Sequence, residues 1–154
     1  LWPRICTWVH LLDTDSKKGF YVYNVHLACL SQGAREKSVR LLAKRINARQ
    51  ADEPFVVMGD FNMELDNPAM QYLQNHTRRN PHPRMVDAFS TVNGFEIEGT
   101  GTTHNFTGRR WGPRIDHMPV SDDIKALEAK IIQRASDGRY PSDHFPVIAT
   151  LQLL

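Results

Sequence analysis

Cysteine is scarce in this 154-residue sequence: Cys6 and Cys29 are the only two, so no disulfide framework holds the chain and one bridge is the most the arithmetic allows. A reducing, cytoplasmic compartment is the default expectation; Leu1-Trp2-Pro3-Arg4 is not a secretory leader, and secretion would require an upstream signal segment. Long apolar runs are missing as well. Nothing approaches the ~20 residues that cross a bilayer, which predicts a soluble chain. Charge of one sign is not in excess either, because 19 Lys and Arg stand against 17 Asp and Glu. The resulting net charge of +2 does not by itself imply a polyanionic partner, so any case for nucleic acid must come from local clusters. The 9 Gly and 9 Pro are scattered and no repeat is visible, which with 41% hydrophobic residues excludes collagen, coiled coil and wholesale disorder. What remains is material for a single domain with one buried core.

Residues 4–13 and 20–27 are β-rich and are separated by a polar stretch ending in Gly19, the pattern of a hairpin. Within the second run, alternation places Asn24 and His26 on one face of the strand. Val39, Leu42, Ala43 and Ile46 recur at helical spacing, which predicts an amphipathic helix from about Ser31 to Arg49. Phe55-Val56-Val57-Met58 is an uninterrupted apolar run suited to a strand buried on both faces. Asn67-Pro68 reads as an N-cap followed by proline at the first helical position. Asn75 to Arg84 reads as a basic surface loop carrying Arg78, Arg79 and Arg84, and Val86 to Val92 as a short helix. A Gly- and Thr-rich stretch from Asn93 to Pro113 shows little periodicity; loops of that length are usually functional or disordered. Three further strands are expected over Arg114 to Val120, Ile124 to Arg134 and Phe145 to Leu153.

Three short segments carry candidate chemistry. Gly59-Asp60-Phe61-Asn62 follows the buried strand directly, where reactive groups gather in open sheets, and extended spacing aims Asp60 and Asn62 the same way. An ordinary Asx turn is the competing reading. Ser142-Asp143-His144 places a carboxylate suited to a hard cation beside an imidazole that exchanges protons near neutral pH; a capped turn would look the same. Arg114-Ile115-Asp116 sets an acid among apolar neighbours, where it needs a partner. Pairing with His144, which would fix that ring's tautomer, is the favoured choice over a salt bridge to Arg114.

With Asn24-Val25-His26, Gly59-Asp60-Phe61-Asn62, Arg114-Ile115-Asp116 and Ser142-Asp143-His144 in that order, the chain resembles the C-terminal part of the endonuclease/exonuclease/phosphatase family of metal-dependent phosphoesterases. The resemblance implies an α/β fold, a four-layer αββα sandwich of which this single partial domain holds the C-terminal part. It implies in-line attack of water on a phosphate ester, assisted by Mg²⁺ or Mn²⁺. By position, Asp60 matches the residue that orients or deprotonates the water and Asn62 the amide beside it. Asp143 matches a carboxylate at the metal, His144 the histidine on the phosphoryl oxygen, and Asp116 the acid that orients it. His26 matches the second histidine of the cleft, with Asn24 near it.

Two departures follow. The family's preceding segment, which supplies an Asn and a metal-binding Glu, has no counterpart in these residues, so either a second copy or a complementing N-terminal half is expected to cover the exposed side, or the chain is an excerpt of a longer protein. Ala28 and Cys29 also stand where close relatives carry Asp and His. A noncatalytic binding module is therefore the alternative to an enzyme. A serine hydrolase built on Ser142 lacks the Gly-x-Ser-x-Gly elbow. His26 with Cys29 offers only two ligands and no zinc site. Cys6 lies near Cys29, and two packed thiols are favoured over a bridge. Arg109, Arg110 and Trp111, with Arg78, Arg79 and Arg84, are candidates to hold a phosphate and stack a base or sugar, against the plainer reading of solvated loop cations. The substrate, nucleic acid or a small phosphorylated molecule, stays open.

Overall fold

The computed structural model describes residues 3–75, 83–95 and 98–154. The first two strands, β1 (Cys6–Leu12) and β2 (Gly19–His26), form the expected antiparallel hairpin. Helix α1 (Gln32–Asn47) follows, capped by Ser31, whose hydroxyl accepts from the Ala34 amide. Its buried stripe is Val39, Leu42, Ala43 and Ile46, as the spacing predicts. Strand β3 (Phe55–Asp60) runs parallel to β2, a connection that α1 makes geometrically easy. Met58 is more exposed than a doubly buried strand would allow. Helix α2 (Pro68–Gln74) begins as predicted, with the Asn67 side chain accepting from the Ala69 amide.

The next segment departs from the sequence reading. Val86 and Asp87, expected in the helix, are in a strand: β4 (Met85–Asp87) precedes a helix α3 restricted to Ala88–Asn93. The switch falls at Asp87, whose carboxylate accepts from the Ser90 amide and starts the helix as its N-cap. The single strand expected over residues 114–120 is likewise two, β5 (Asp116–His117) and β6 (Pro119–Ser121). Between them the Met118 amide donates to the Asp87 carboxylate instead of to a strand, and Pro119 has no amide hydrogen to give. Strands β7 (Ile124–Ile131) and β8 (Val147–Leu153) pair antiparallel as a separate sheet.

The larger sheet has the order β1-β2-β3-β6-β4, with β5 also paired to β3. Cross-strand register assigns its two faces. Trp8, Tyr23 and Val57 align, as do His10, Tyr21 and Phe55; this face packs under α1 and α2 with Ile46, Met70 and Leu73. Each such aliphatic side chain contributes roughly 1.5–3 kcal/mol on full burial. The opposite face presents the row Val9, Val22, Val56 and Val120. Its Val56 and Val120 end packs against β7 and β8 through Ile124, Ala149 and Leu151, whereas Val9, Leu11 and Met58 are exposed. Three of the four expected layers, one of helices and two of sheet, are thus described. The outer face of the small sheet, with Ile148, Thr150 and Gln152, is exposed among the described residues.

Candidate active site

The same register that sorts the core builds the site. His26 pairs with Asp60 across β2 and β3, and Asp60 pairs with Asp116 across β3 and β5. All three therefore point from one face at the end of the parallel pair, in the row beyond Asn24 and Met58. His144 arrives from the lead-in to β8, and its Nδ1 lies 2.8 Å from Asp116 Oδ2. The pairing chosen from the sequence is the one observed; Arg114 goes elsewhere. His26 Nε2 stands 3.3 Å from Asp60 Oδ2. Ligand atoms of Asp60, Asp116 and His144 all fall within 4.8 Å of one another. Two carboxylates and an imidazole suit a divalent cation with a preference for oxygen.

The strand end turns because Gly59 adopts φ +131°, and a Cβ there would meet Val25 O at 2.0 Å and the Asn24 carboxamide oxygen at 3.0 Å. Asn62 is itself left-handed, at φ 53°. Its backbone amide donates to Asp60 Oδ1 at 2.7 Å, and its side-chain amide donates to Leu27 O at 3.0 Å and stands 3.3 Å from Asp60 Oδ2. Asp60 and Asn62 are brought together as the sequence predicts, in a conformation that few non-glycine residues adopt. Burial raises the Asp60 carboxyl above the usual carboxylate range; the Asn62 amide opposes this and the Asp116 charge reinforces it. A carboxyl shifted this way is a better proton acceptor near neutrality than an ordinary aspartate.

Asn24, Gly59, Asp116, Ser142 and His144 line a cleft of about 310 Å³, and Asn24, His26 and Asp60 line an adjoining one of about 470 Å³. Asp143 is not brought into the cluster. It is exposed, and its backbone carbonyl accepts from the His104 and Asn105 amides. The Ser142 hydroxyl accepts from the His144 amide at 3.1 Å, an end-of-turn role and not that of a nucleophile. Arg109, Arg110 and Trp111 are exposed. Arg110 and Trp111 line a larger hollow of about 840 Å³ that also includes Glu64, Asp66 and Glu98, so its walls carry both charges. Arg78 and Arg79 lie outside the described residues. Cys6 and Cys29 are unbridged, and both are exposed where packed thiols were expected.

Sequence reasoning missed a sealed polar node beside the cluster. Arg114 donates to Asp87 Oδ2 and to Ser90 Oγ, both at 2.8 Å, and Nδ1 of His117 lies 3.4 Å from Arg114. His117 Nε2 lies 2.9 Å from Met63 O, which assigns the proton to Nε2. Burial disfavours charge on Asp87, but His117 and Arg114 outweigh it and hold the carboxyl low. Burial likewise lowers His117, against the pull of Asp87. Also unforeseen, His104 is buried in the long loop and stacks on Phe145 at 4.0 Å. Its Nδ1 accepts from the Gly108 amide at 3.3 Å, and its Nε2 has no hydrogen-bond partner among the described residues. Glycines among threonines announced a loop but not where it would be anchored.

The sequence model described as the Endonuclease/Exonuclease/phosphatase family matches residues 1–144. A functionally unknown conserved protein from Enterococcus faecalis is 29% identical, with TM-score 0.83 over 99% of this chain and 57% of its own. An endonuclease/exonuclease/phosphatase from Bacteroides vulgatus is 26% identical, with TM-score 0.79 over 98% of this chain and 56% of its own. The mannosyl-6-phosphatase of Bacteroides thetaiotaomicron shares the fold at 23% identity and TM-score 0.76, over 99% and 58%. The chain thus spans under two thirds of the length of each of these structures. No curated protein matches it at comparable significance.

Proposed function

Because the chain belongs to the endonuclease/exonuclease/phosphatase family, we propose that it is a metal-dependent phosphoesterase that hydrolyses phosphate esters by in-line attack of water on phosphorus. The observation that carries this reading is the convergence of Asp60, Asp116 and His144 at an open cleft, with His144 held by Asp116 at 2.8 Å. Asp60 orients the water and takes its proton. Asp116 fixes the imidazole of His144, so that the opposite ring nitrogen is directed at a nonbridging phosphoryl oxygen as charge develops there. His26 and Asn24 flank the same oxygens, and Asn62 keeps the Asp60 carboxylate aimed through its two donors. Asp60 and Asp116 would hold Mg²⁺ or Mn²⁺; Asp143, which the resemblance assigns to the metal, lies outside this cluster. Such an ion, when bound, supplies Lewis-acid stabilisation of the phosphoryl oxygens. Arg109, Arg110 and Trp111 would contact the remainder of the substrate.

Hydrolysis of bis-p-nitrophenyl phosphate with Mg²⁺ or Mn²⁺ tests the assignment: wild type should turn over and His144→Ala should retain only a small residual rate, and equal inertness of both on diester, monoester and DNA substrates overturns it. The exposed Val9, Leu11 and Met58 supply a specific reason for a second reading. In it the chain is a binding module, or one half of an assembly completed by another copy or by a complementing N-terminal half. Calorimetric titration with Mn²⁺ separates the two, since saturable binding abolished by Asp60→Asn belongs to an enzyme site. Sedimentation reads the assembly directly.

A further inference from the structure

The contact between Asp116 and His144 joins two segments that no strand pairing brings together, and a single buried residue spans them. Thr102, fully buried, accepts at its hydroxyl oxygen from two consecutive amides, Ile115 at 3.1 Å and Asp116 at 3.2 Å. Its own amide donates to Pro113 O at 3.1 Å, and its carbonyl accepts from the Phe145 amide at 2.7 Å. The next residue, Thr103, forms a β-bridge with His144. One residue therefore grips the backbone at Asp116 with its side chain and the backbone beside His144 with its main chain. Among the described residues, the Thr102 hydroxyl bonds to backbone amides and not to the side chain of Asp116 or His144.

We propose that Thr102 is a positioning residue: its hydroxyl sets the separation of Asp116 from His144 and thereby the aim of the imidazole. Three features of the geometry support this. The hydroxyl is the acceptor for two partly buried amides, and removing it leaves both donors without that partner. The methyl of a β-branched side chain restricts χ1, so the oxygen is held in one place. The carbonyl bond to Phe145 places the imidazole-bearing turn on the same frame, so a shift at one end is transmitted to the other. A misplacement of about 1 Å at a reacting group can lower a rate ~10²-fold.

The activity arm of the test rests on the phosphoesterase reading; the spectroscopic arm does not. In Thr102→Val, which keeps the shape and loses the acceptor, kcat on bis-p-nitrophenyl phosphate should fall at least about tenfold with KM within about twofold. Thr102→Ser should restore most of the loss. In the His144→Ala background the same Thr102→Val change should have no further effect on the residual rate, since its action runs through that ring. Independently of turnover, the downfield NMR resonance of the His144 Nδ1 proton, bonded to Asp116, should be seen in wild type and Thr102→Ser and lost in Thr102→Val. If Thr102→Val does not fold, Thr102→Cys, a weaker acceptor of similar size, is used in its place. A folded variant that keeps the resonance and wild-type kcat overturns the proposal, as does an additive loss in the His144→Ala background. An inert wild type that nevertheless shows the resonance, and loses it with the hydroxyl, would sink the phosphoesterase reading alone.

Discussion

Asp116 and His117 are neighbours in the chain, yet each belongs to a different Asp–His pair, and the two pairs have opposite surroundings. Alternation along β5 sends Asp116 to the cleft, where it meets His144 with both side chains about a quarter exposed, at 20% and 26%. The same alternation sends His117 to the interior, where it lies 3.9 Å from Asp87 with both side chains at 0%. The inner pair is satisfied on every side by Arg114, Ser90, the Met118 amide and Met63 O. The outer pair leaves one imidazole nitrogen and a carboxylate edge facing open space. Identical residue types thus divide into a fixed support and an available site because the strand has a period of two. Whether a histidine is chemical or structural is decided by what surrounds it.

The contrast can be broken first at the inner pair. Asp87→Ala leaves the Arg114 guanidinium buried without its carboxylate, and urea unfolding should show a loss of about 3–5 kcal/mol, or no folded protein at all. Asp116→Ala, at a partly exposed pair, should cost under about 1 kcal/mol in the same measurement. The outer pair answers in rate instead. His144→Ala should lower phosphodiester hydrolysis by roughly 10²–10⁴-fold with an unchanged unfolding midpoint.

A third measurement sharpens the distinction through the cation. Mn²⁺ at about a hundred times its dissociation constant should stabilise the chain by ~2.7 kcal/mol in thermal unfolding, and Asp60→Asn should remove that gain. The smallest expected effect is of pH on the inner pair. The folded value of His117 lies below the ordinary 6.5, so beneath that pH the unfolded chain takes up a proton that the folded chain refuses. The stability is therefore complete above 6.5 and declines as the pH falls through the interval below it, by at most about 1.4 kcal/mol per pH unit. The low-held Asp87 removes more once the pH falls below the unfolded value of 3.8. Melting temperatures recorded across this range should show a shallower slope for His117→Gln than for wild type.

Much of this division was legible beforehand and part was not, for physical reasons. The helix stripe of Val39, Leu42, Ala43 and Ile46 and the Asn67-Pro68 cap are local patterns, and local patterns are written in adjacent residues. Asp60, Asn62, Asp116 and His144 were identifiable because family resemblance supplied an order of motifs, and the Asp116–His144 contact followed from the need of a half-buried acid for a partner. Both its carboxylate chemistry and the resemblance point Asp143 to the metal, but its side chain is exposed and its backbone anchors the long loop. Arg114 could not be assigned from spacing, because its partner Asp87 is 27 residues away and marks the junction of a strand and a helix. Val86 and Asp87 read as helical because a strand of three residues has no periodicity of its own and exists only through its pairing with β6. Thr102 and His104 were hidden for a related reason: a loop without periodicity gives no sign of which of its residues turn inward.

At position 59 the backbone bends within van der Waals touch of the neighbouring strand's carbonyl, so there is space for a hydrogen atom and for no carbon. A saturation library of this protein, selected only for yield of intact protein, should come back with that column blank for every residue but glycine. The vacancy would locate the hinge on which Asp60 is mounted before any reaction had been assayed.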